Sequence, residues 1–124
     1  MSLLLDTHVL LWWFAGDPID ADVAARIADP GTLVGVSAAT VWEIGVKRAV
    51  GKLRFEGSVV DEVERGGFEL LSISAVHAEQ AGGLPPHHRD PFDRMLVAQA
   101  QMERMTVVTR DPAFRPYEVD LMPC

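Results

Sequence analysis

Three short runs of this chain are apolar almost without interruption: Ser2-Leu3-Leu4-Leu5, Leu33-Val34-Gly35-Val36-Ser37 and Thr106-Val107-Val108-Thr109. Segments of helical spacing separate them. A strand that is apolar on both sides has to be covered on both faces, which is the habit of parallel sheets. Strands of this kind alternating with helices predict an α/β fold with a central, mainly parallel sheet. The expected helices cover Thr7 to Ala15, Asp20 to Ala28, Ala38 to Val50, Ser58 to Arg65, Ser74 to about Ala81, and Asp90 to about Glu103. Gly16-Asp17-Pro18, Asp29-Pro30-Gly31 and Gly66-Gly67 punctuate them. Phe68 to Ile73 reads as a further strand and Tyr117 to Leu121 as a short last one.

Length and composition narrow the class. A chain of 124 residues, 48% hydrophobic and 23% charged, suits one domain spanning 1–124 with a core of ordinary size. The single cysteine, Cys124, excludes a disulfide framework and a cysteine-based zinc site, and fits a reducing compartment. The apolar run Val9 to Ala15 falls far short of the ~20 residues that span a bilayer. The expected location is the cytoplasm. Eighteen acids against eleven bases give a net charge of −7. That argues against a generic cationic coat for nucleic acid, but not against an enzyme whose acids gather around a metal.

In open parallel sheets, ligand sites collect at the carboxyl ends of the strands. Asp6 directly follows the first strand run, and Asp111 follows the Thr106–Thr109 run after Arg110. Each has a plainer reading, Asp6 as a helix N-cap and Asp111 as a turn residue before Pro112. Glu43 lies one or two turns from Ala39, Val46 and Val50 on an apolar helix face. A carboxylate there needs a partner, either a metal or Lys47 at i+4. Asp90-Pro91-Phe92-Asp93 has the form of an N-cap, a proline at the first helical position and a first-turn acid. Asp93 also continues through Val97 and Ala100, a stripe that packs on the sheet and aims it inward.

Carboxylates from four segments could thus converge on one edge. Unpaired, they repel one another and push pKa values up unless a cation neutralises them. Oxygen ligands suit a hard ion such as Mg²⁺ or Mn²⁺, which keeps waters and leaves room for phosphate oxygens. Metal-assisted phosphodiester hydrolysis is the chemistry that follows.

Four motifs in order now carry a likeness. Leu4-Leu5-Asp6-Thr7-His8, the stretch Ser37 to Glu43, Arg89-Asp90-Pro91-Phe92-Asp93-Arg94-Met95-Leu96-Val97-Ala98-Gln99-Ala100, and Val107-Val108-Thr109-Arg110-Asp111 run from about Leu3 to Leu121. Together they resemble the PIN-domain ribonucleases, specifically VapC-type toxins of bacterial type II toxin–antitoxin systems. The resemblance implies a three-layer α/β/α domain. It also implies an acidic quartet of Asp6, Glu43, Asp93 and Asp111 holding one or two Mg²⁺ or Mn²⁺ ions. The implied activity is endonucleolytic cleavage of RNA by metal-activated water, leaving 5′-phosphate ends. Asp90, Thr7 and Thr109 would support the quartet. His8 and Arg94 depart from the pattern, standing where many relatives have asparagine and a small residue. A homodimer and an antitoxin whose C-terminal segment covers the active site are the implied partners.

RNA needs local positive surface. Lys47, Arg48, Lys52 and Arg54 cluster after Glu43, Arg89 and Arg94 flank the Asp90–Asp93 pair, and Arg110 and Arg115 bracket Asp111. These are the candidate RNA contacts, with solvated helix ends as the plain alternative. His87 and His88, on a Pro-rich loop, read as exposed or substrate-facing rather than as ligands. Leu10-Leu11-Trp12-Trp13-Phe14 cannot all face one sheet, so part of it is expected at a dimer surface or a peptide groove. Two other enzyme classes fit less well. Haloacid-dehalogenase phosphatases need a second acid where His8 stands, and a receiver domain needs its phosphoacceptor after a middle strand, where Ser37 or Ser74 lies. The non-enzymatic alternative is a catalytically inactive PIN-fold module that engages an antitoxin or RNA.

Overall fold

The computed structural model describes residues 1–124. Five strands, β1 (Ser2–Leu5), β2 (Leu33–Ser37), β3 (Glu69–Leu71), β4 (Thr106–Val108) and β5 (Leu121–Met122), form one sheet. Their order is β3-β2-β1-β4-β5, and every neighbouring pair is parallel. Six helices connect them: α1 (Thr7–Ala15), α2 (Ala21–Ala28), α3 (Ala38–Ala49), α4 (Val59–Arg65), α5 (Ala75–Gly83) and α6 (Pro91–Glu103).

The alternation of side chains along β1 shows why these strands are apolar throughout. Leu3 and Leu5 enter a core with Val9 of α1, Val23 and Ile27 of α2, Ile44 of α3 and Val63 of α4. Leu4, pointing the opposite way, enters a second core with Ala81 of α5 and Leu96 and Val97 of α6. The sheet is therefore the middle of three layers, α/β/α. No helix is long and apolar enough to cross a membrane.

Caps set the helix starts. Ser37, Ser58, Ser74 and Asp90 accept from backbone N–H groups of the first turns of α3, α4, α5 and α6. Gln99, fully buried on α6, accepts from Ser37 Oγ at 2.5 Å and ties α6 to the β2–α3 junction.

Two strands are shorter than the sequence pattern predicts. Of Phe68 to Ile73, only Glu69–Leu71 pairs, because Phe68 turns into the core against Trp13 and Phe14. The last strand is Leu121–Met122 rather than Tyr117 to Leu121. Tyr117 is buried, and the chain around it is held in turns by Tyr117 N–H to Phe114 O and Val119 N–H to Tyr117 O.

Candidate metal centre

The chain proceeds from β1 leftward through β2 to β3, then crosses to β4 on the other side of β1. That reversal makes the carboxyl ends of β1 and β4 the topological switch point, the usual ligand position of such sheets. Asp6 and Thr109 stand there. The Asp6 amide donates to Val108 O at 3.0 Å, extending the β1–β4 ladder. Thr109 Oγ1 donates to Asp6 Oδ2 at 2.8 Å. Asp6 occupies the N-cap position of α1, yet its carboxylate makes no capping bond. The side-chain capping reading thus fails, and the buried carboxylate has only Thr109 and, at 3.8 Å, His8 Nδ1 as partners. Asp6 in turn raises the His8 imidazole above its ordinary value.

Glu43 comes from the second turn of α3 and is 2% exposed. The face it buries is the predicted one only at Ala39. Val46 and Val50 point to solvent, and Ala39, Thr40 and Ile44 share the buried side. Its Oε2 accepts from Lys47 Nζ at 2.6 Å, a bond that raises the Lys47 ammonium above its usual value. Its Oε1 is the buried side-chain oxygen or nitrogen that no protein group satisfies. The Lys47 pairing and the demand for a further partner therefore both hold.

Asp93, 9% exposed, arrives from the first turn of α6. Val97 and Ala100, each 1% exposed, anchor the stripe that aims it inward. Its carboxyl is pushed up to about 6 by burial. A bond from His88 works against the rise, while repulsion from Asp90, Asp6 and Glu43 adds to it. Asp90, Asp6 and Glu43 are thus each close enough to act on Asp93. Asp111 is joined only indirectly: its N–H donates to Thr109 Oγ1 at 3.0 Å, and its own Oδ1 caps the short 3₁₀ turn Pro112–Phe114 through Ala113 N–H. Its reading as a turn residue is correct, whatever else it does.

The remaining candidates divide between tasks the sequence suggested, as for Asp90, and tasks it did not reveal. Thr7 is bonded through Oγ1 to Thr40 Oγ1 at 3.0 Å, between α1 and α3. Asp90 caps α6, its Oδ1 accepting from the Phe92 and Asp93 amides. His88 is not a free loop residue, because its Nε2 lies 2.8 Å from Asp93 Oδ2. His87 packs edge-on against Tyr117.

Several candidate RNA bases are committed inside the protein. Arg94 donates to the carbonyls of Ala81, Leu84, Pro85 and His88 and to the Tyr117 hydroxyl, at 2.9–3.3 Å. Arg48 donates to the Phe55 and Gly57 carbonyls, and Arg110 to those of Pro18 and Cys124 while lying over the Trp12 ring. A planar fork of five donors suits such carbonyl clusters; Arg94 has both terminal nitrogens engaged, whereas Arg48 and Arg110 are exposed and each engages only one, leaving the other for phosphate. Lys52, Arg54, Arg89 and Arg115 are exposed. Of the apolar stretch on α1, Val9 and Leu10 are core, whereas Leu11, Trp12 and Phe14 line an open cavity of about 430 Å³ with Leu53, Arg54 and Phe55.

These residues fit a divalent cation. The donors are oxygens, one of them a buried carboxylate oxygen without a partner, and their mutual repulsion leaves negative charge that Lys47 offsets only in part.

A family model described as the PIN domain matches residues 3–119. Among curated proteins none matches the sequence. Solved structures do. VapBC2 from Rickettsia felis, bound to a DNA fragment from its promoter, aligns with a TM-score of 0.72 at 15% identity, covering 100% of this chain and 99% of that one. A toxin–antitoxin complex from Klebsiella pneumoniae aligns at 0.67 and 21% identity, covering 97% and 95%. FitAcB from Neisseria gonorrhoeae aligns at 0.66 and 23%, covering 97% and 96%. At these identities the likeness is one of fold.

Proposed function

Because this chain belongs to the PIN-domain family, we propose that it is a VapC-type toxin, a divalent-metal-dependent endoribonuclease contained in a single domain, 1–124. The observation that carries the reading is the buried, partnerless Glu43 Oε1, on a carboxylate that, with Asp6, repels the buried Asp93. Asp6, Glu43 and Asp93 would hold Mg²⁺ or Mn²⁺, with Asp111 completing the quartet through Thr109. Bound there, the cation supplies a water of lowered pKa and offsets charge on the phosphate. Thr109 orients Asp6 by its hydrogen bond, and His88 does the same for Asp93. Asp90 fixes the first turn of α6 and with it the height of Asp93. Hydrolysis with water adding to phosphorus would break the P–O3′ bond, leaving a 5′-phosphate and a 3′-hydroxyl.

The partners follow from the same reading. RNA is the substrate, steered by Lys52 and Arg89, which are exposed and outside the internal networks of Arg48, Arg94 and Arg110. An antitoxin is the second partner. The cavity bordered by Leu11, Trp12, Phe14 and Phe55 has the apolar lining that a segment of such a protein would need. A homodimer belongs to the same proposal.

Purified protein given total RNA with Mn²⁺ or Mg²⁺ is expected to yield fragments with 5′-phosphate ends, and EDTA to abolish them. Absence of fragments, with no metal binding by calorimetry, would overturn the reading in favour of an inactive module. Lys52→Ala should weaken RNA binding and flatten the slope of log affinity against log salt by roughly 0.7 for one phosphate contact on a single strand. Titrations at three salt concentrations measure this; an unchanged slope removes Lys52 from the RNA path.

A further inference from the structure

The loop before α6 does more than connect. His88 Nε2 and Asp93 Oδ2 are 2.8 Å apart, and His88, Asp90 and Asp93 each offer a ligand atom within 4.8 Å of the others. Two adjacent donors on an octahedral ion, each about 2.1 Å from it, stand about 3 Å apart, and opposite donors about 4.2 Å. The spacing of His88 and Asp93 therefore already matches one edge of such a shell to within a few tenths of an ångström. Asp90 uses Oδ1 to cap the helix and not Oδ2. In the metal-free protein Nε2–H bonds Asp93; with an ion present, neutral imidazole can carry its proton on Nδ1 instead and present the Nε2 lone pair.

The loop is also held in place. The His88 amide donates to Tyr117 Oη at 2.9 Å, and that hydroxyl donates to Pro85 O at 2.9 Å. Arg94 binds the carbonyls of Leu84, Pro85 and His88. A histidine fixed this way is positioned before any ion arrives. Glu43, with its buried and partnerless oxygen, is near enough to Asp93 to repel its carboxylate.

We propose that His88, Asp90 and Asp93 form a mixed nitrogen–carboxylate cation position, sharing Asp93 with the Asp6 and Glu43 carboxylates, and that it favours a first-row transition ion over Mg²⁺. Imidazole suits transition ions, whereas Mg²⁺ keeps to oxygen. The inference rests on the nuclease reading for the purpose of the ion, but its test needs no RNA.

Mn²⁺ is the probe, added to metal-free full-length protein and followed by calorimetry and pulsed electron paramagnetic resonance. A nitrogen-14 coupling from a bound imidazole is expected in the wild type. His8 stands 3.8 Å from Asp6 and is the competing source. The coupling should therefore survive in His8→Gln and vanish in His88→Gln, with Mn²⁺ affinity falling roughly 10-fold and Mg²⁺ affinity unchanged. No coupling in the wild type, its loss in His8→Gln alone, or no Mn²⁺ binding would overturn the proposal. Should His88→Gln misfold, the wild type and His8→Gln still decide. Coupling without RNA cleavage would sink the nuclease reading and leave this one standing, and metal-dependent cleavage without coupling the reverse.

Discussion

Asp93→Asn is expected to abolish RNA cleavage while making the metal-free protein more stable at neutral pH. The loss of activity should exceed about 100-fold, since removing even a partner of a ligand costs 10–100-fold in affinity or rate. The stability gain follows from linkage. Asp93 titrates near 6 in the fold, raised by burial and by Asp90, Asp6 and Glu43 despite the His88 bond, against about 3.9 when unfolded. A carboxyl raised on folding stabilises the protein below the unfolded value, and that contribution is lost as pH rises through the folded value. Between about pH 4 and 7 the metal-free wild type should therefore lose stability from this group, up to roughly 3 kcal/mol. Asparagine carries no such charge. Melting curves at pH 4.5 and 7.5 should show the variant gaining on the wild type at the higher pH only, and added Mn²⁺ should raise the wild type but not the variant. A folded variant that cleaves RNA at the wild-type rate would remove Asp93 from the centre.

Arg94→Ala should cost the fold more than any other exposed-charge deletion on α6. Its guanidinium joins the end of α5, the loop carrying His88 and the Tyr117 hydroxyl through five hydrogen bonds. Hydrogen bonds to a charged group contribute about 1.5–3 kcal/mol each at best, and they are not additive. A net loss of about 2–4 kcal/mol is expected, lowering the melting temperature by roughly 10 °C. Arg94→Lys should restore little, because one ammonium cannot span carbonyls that a planar fork reaches together. Hydrogen exchange should show new opening at the His88 amide, whose acceptor, the Tyr117 hydroxyl, loses its Arg94 partner. A melting temperature within 2 or 3 °C of the wild type would mean, at about the same scale, that the clamp contributes under 1 kcal/mol.

The residues that decided the layers were legible because their rule is local. Leu3, Leu4 and Leu5 alternate between two cores, and a strand with no polar side admits no other arrangement. Asp93 was legible for a related reason: Val97 and Ala100 fix its direction one and two turns away. Glu43 was placed in a buried setting correctly but on the wrong stripe. A helix of 3.6 residues per turn lets Val46 and Val50 share a side with it on paper, and only the neighbours of α3 choose between Ile44 and Val46.

The basic residues mark the boundary most sharply. In the sequence Arg94 next to Asp93 is a cation beside an acid, and nothing nearby along the chain says that Ala81, Leu84, Pro85 and Tyr117 will present oxygens to it. The same holds for His88, whose partner five residues away is reached only because Tyr117, nearly thirty residues further on, bends the loop back. Periodicity and strand-end acids determined the class of fold and three of the four carboxylates that meet, because side-chain direction in helices and strands repeats along the chain. Which charges are neutralised, which oxygens are left without a partner and which bases are free for a ligand were decided by the tertiary structure, because a hydrogen bond forms between groups close in space, and closeness in space is not written in sequence separation.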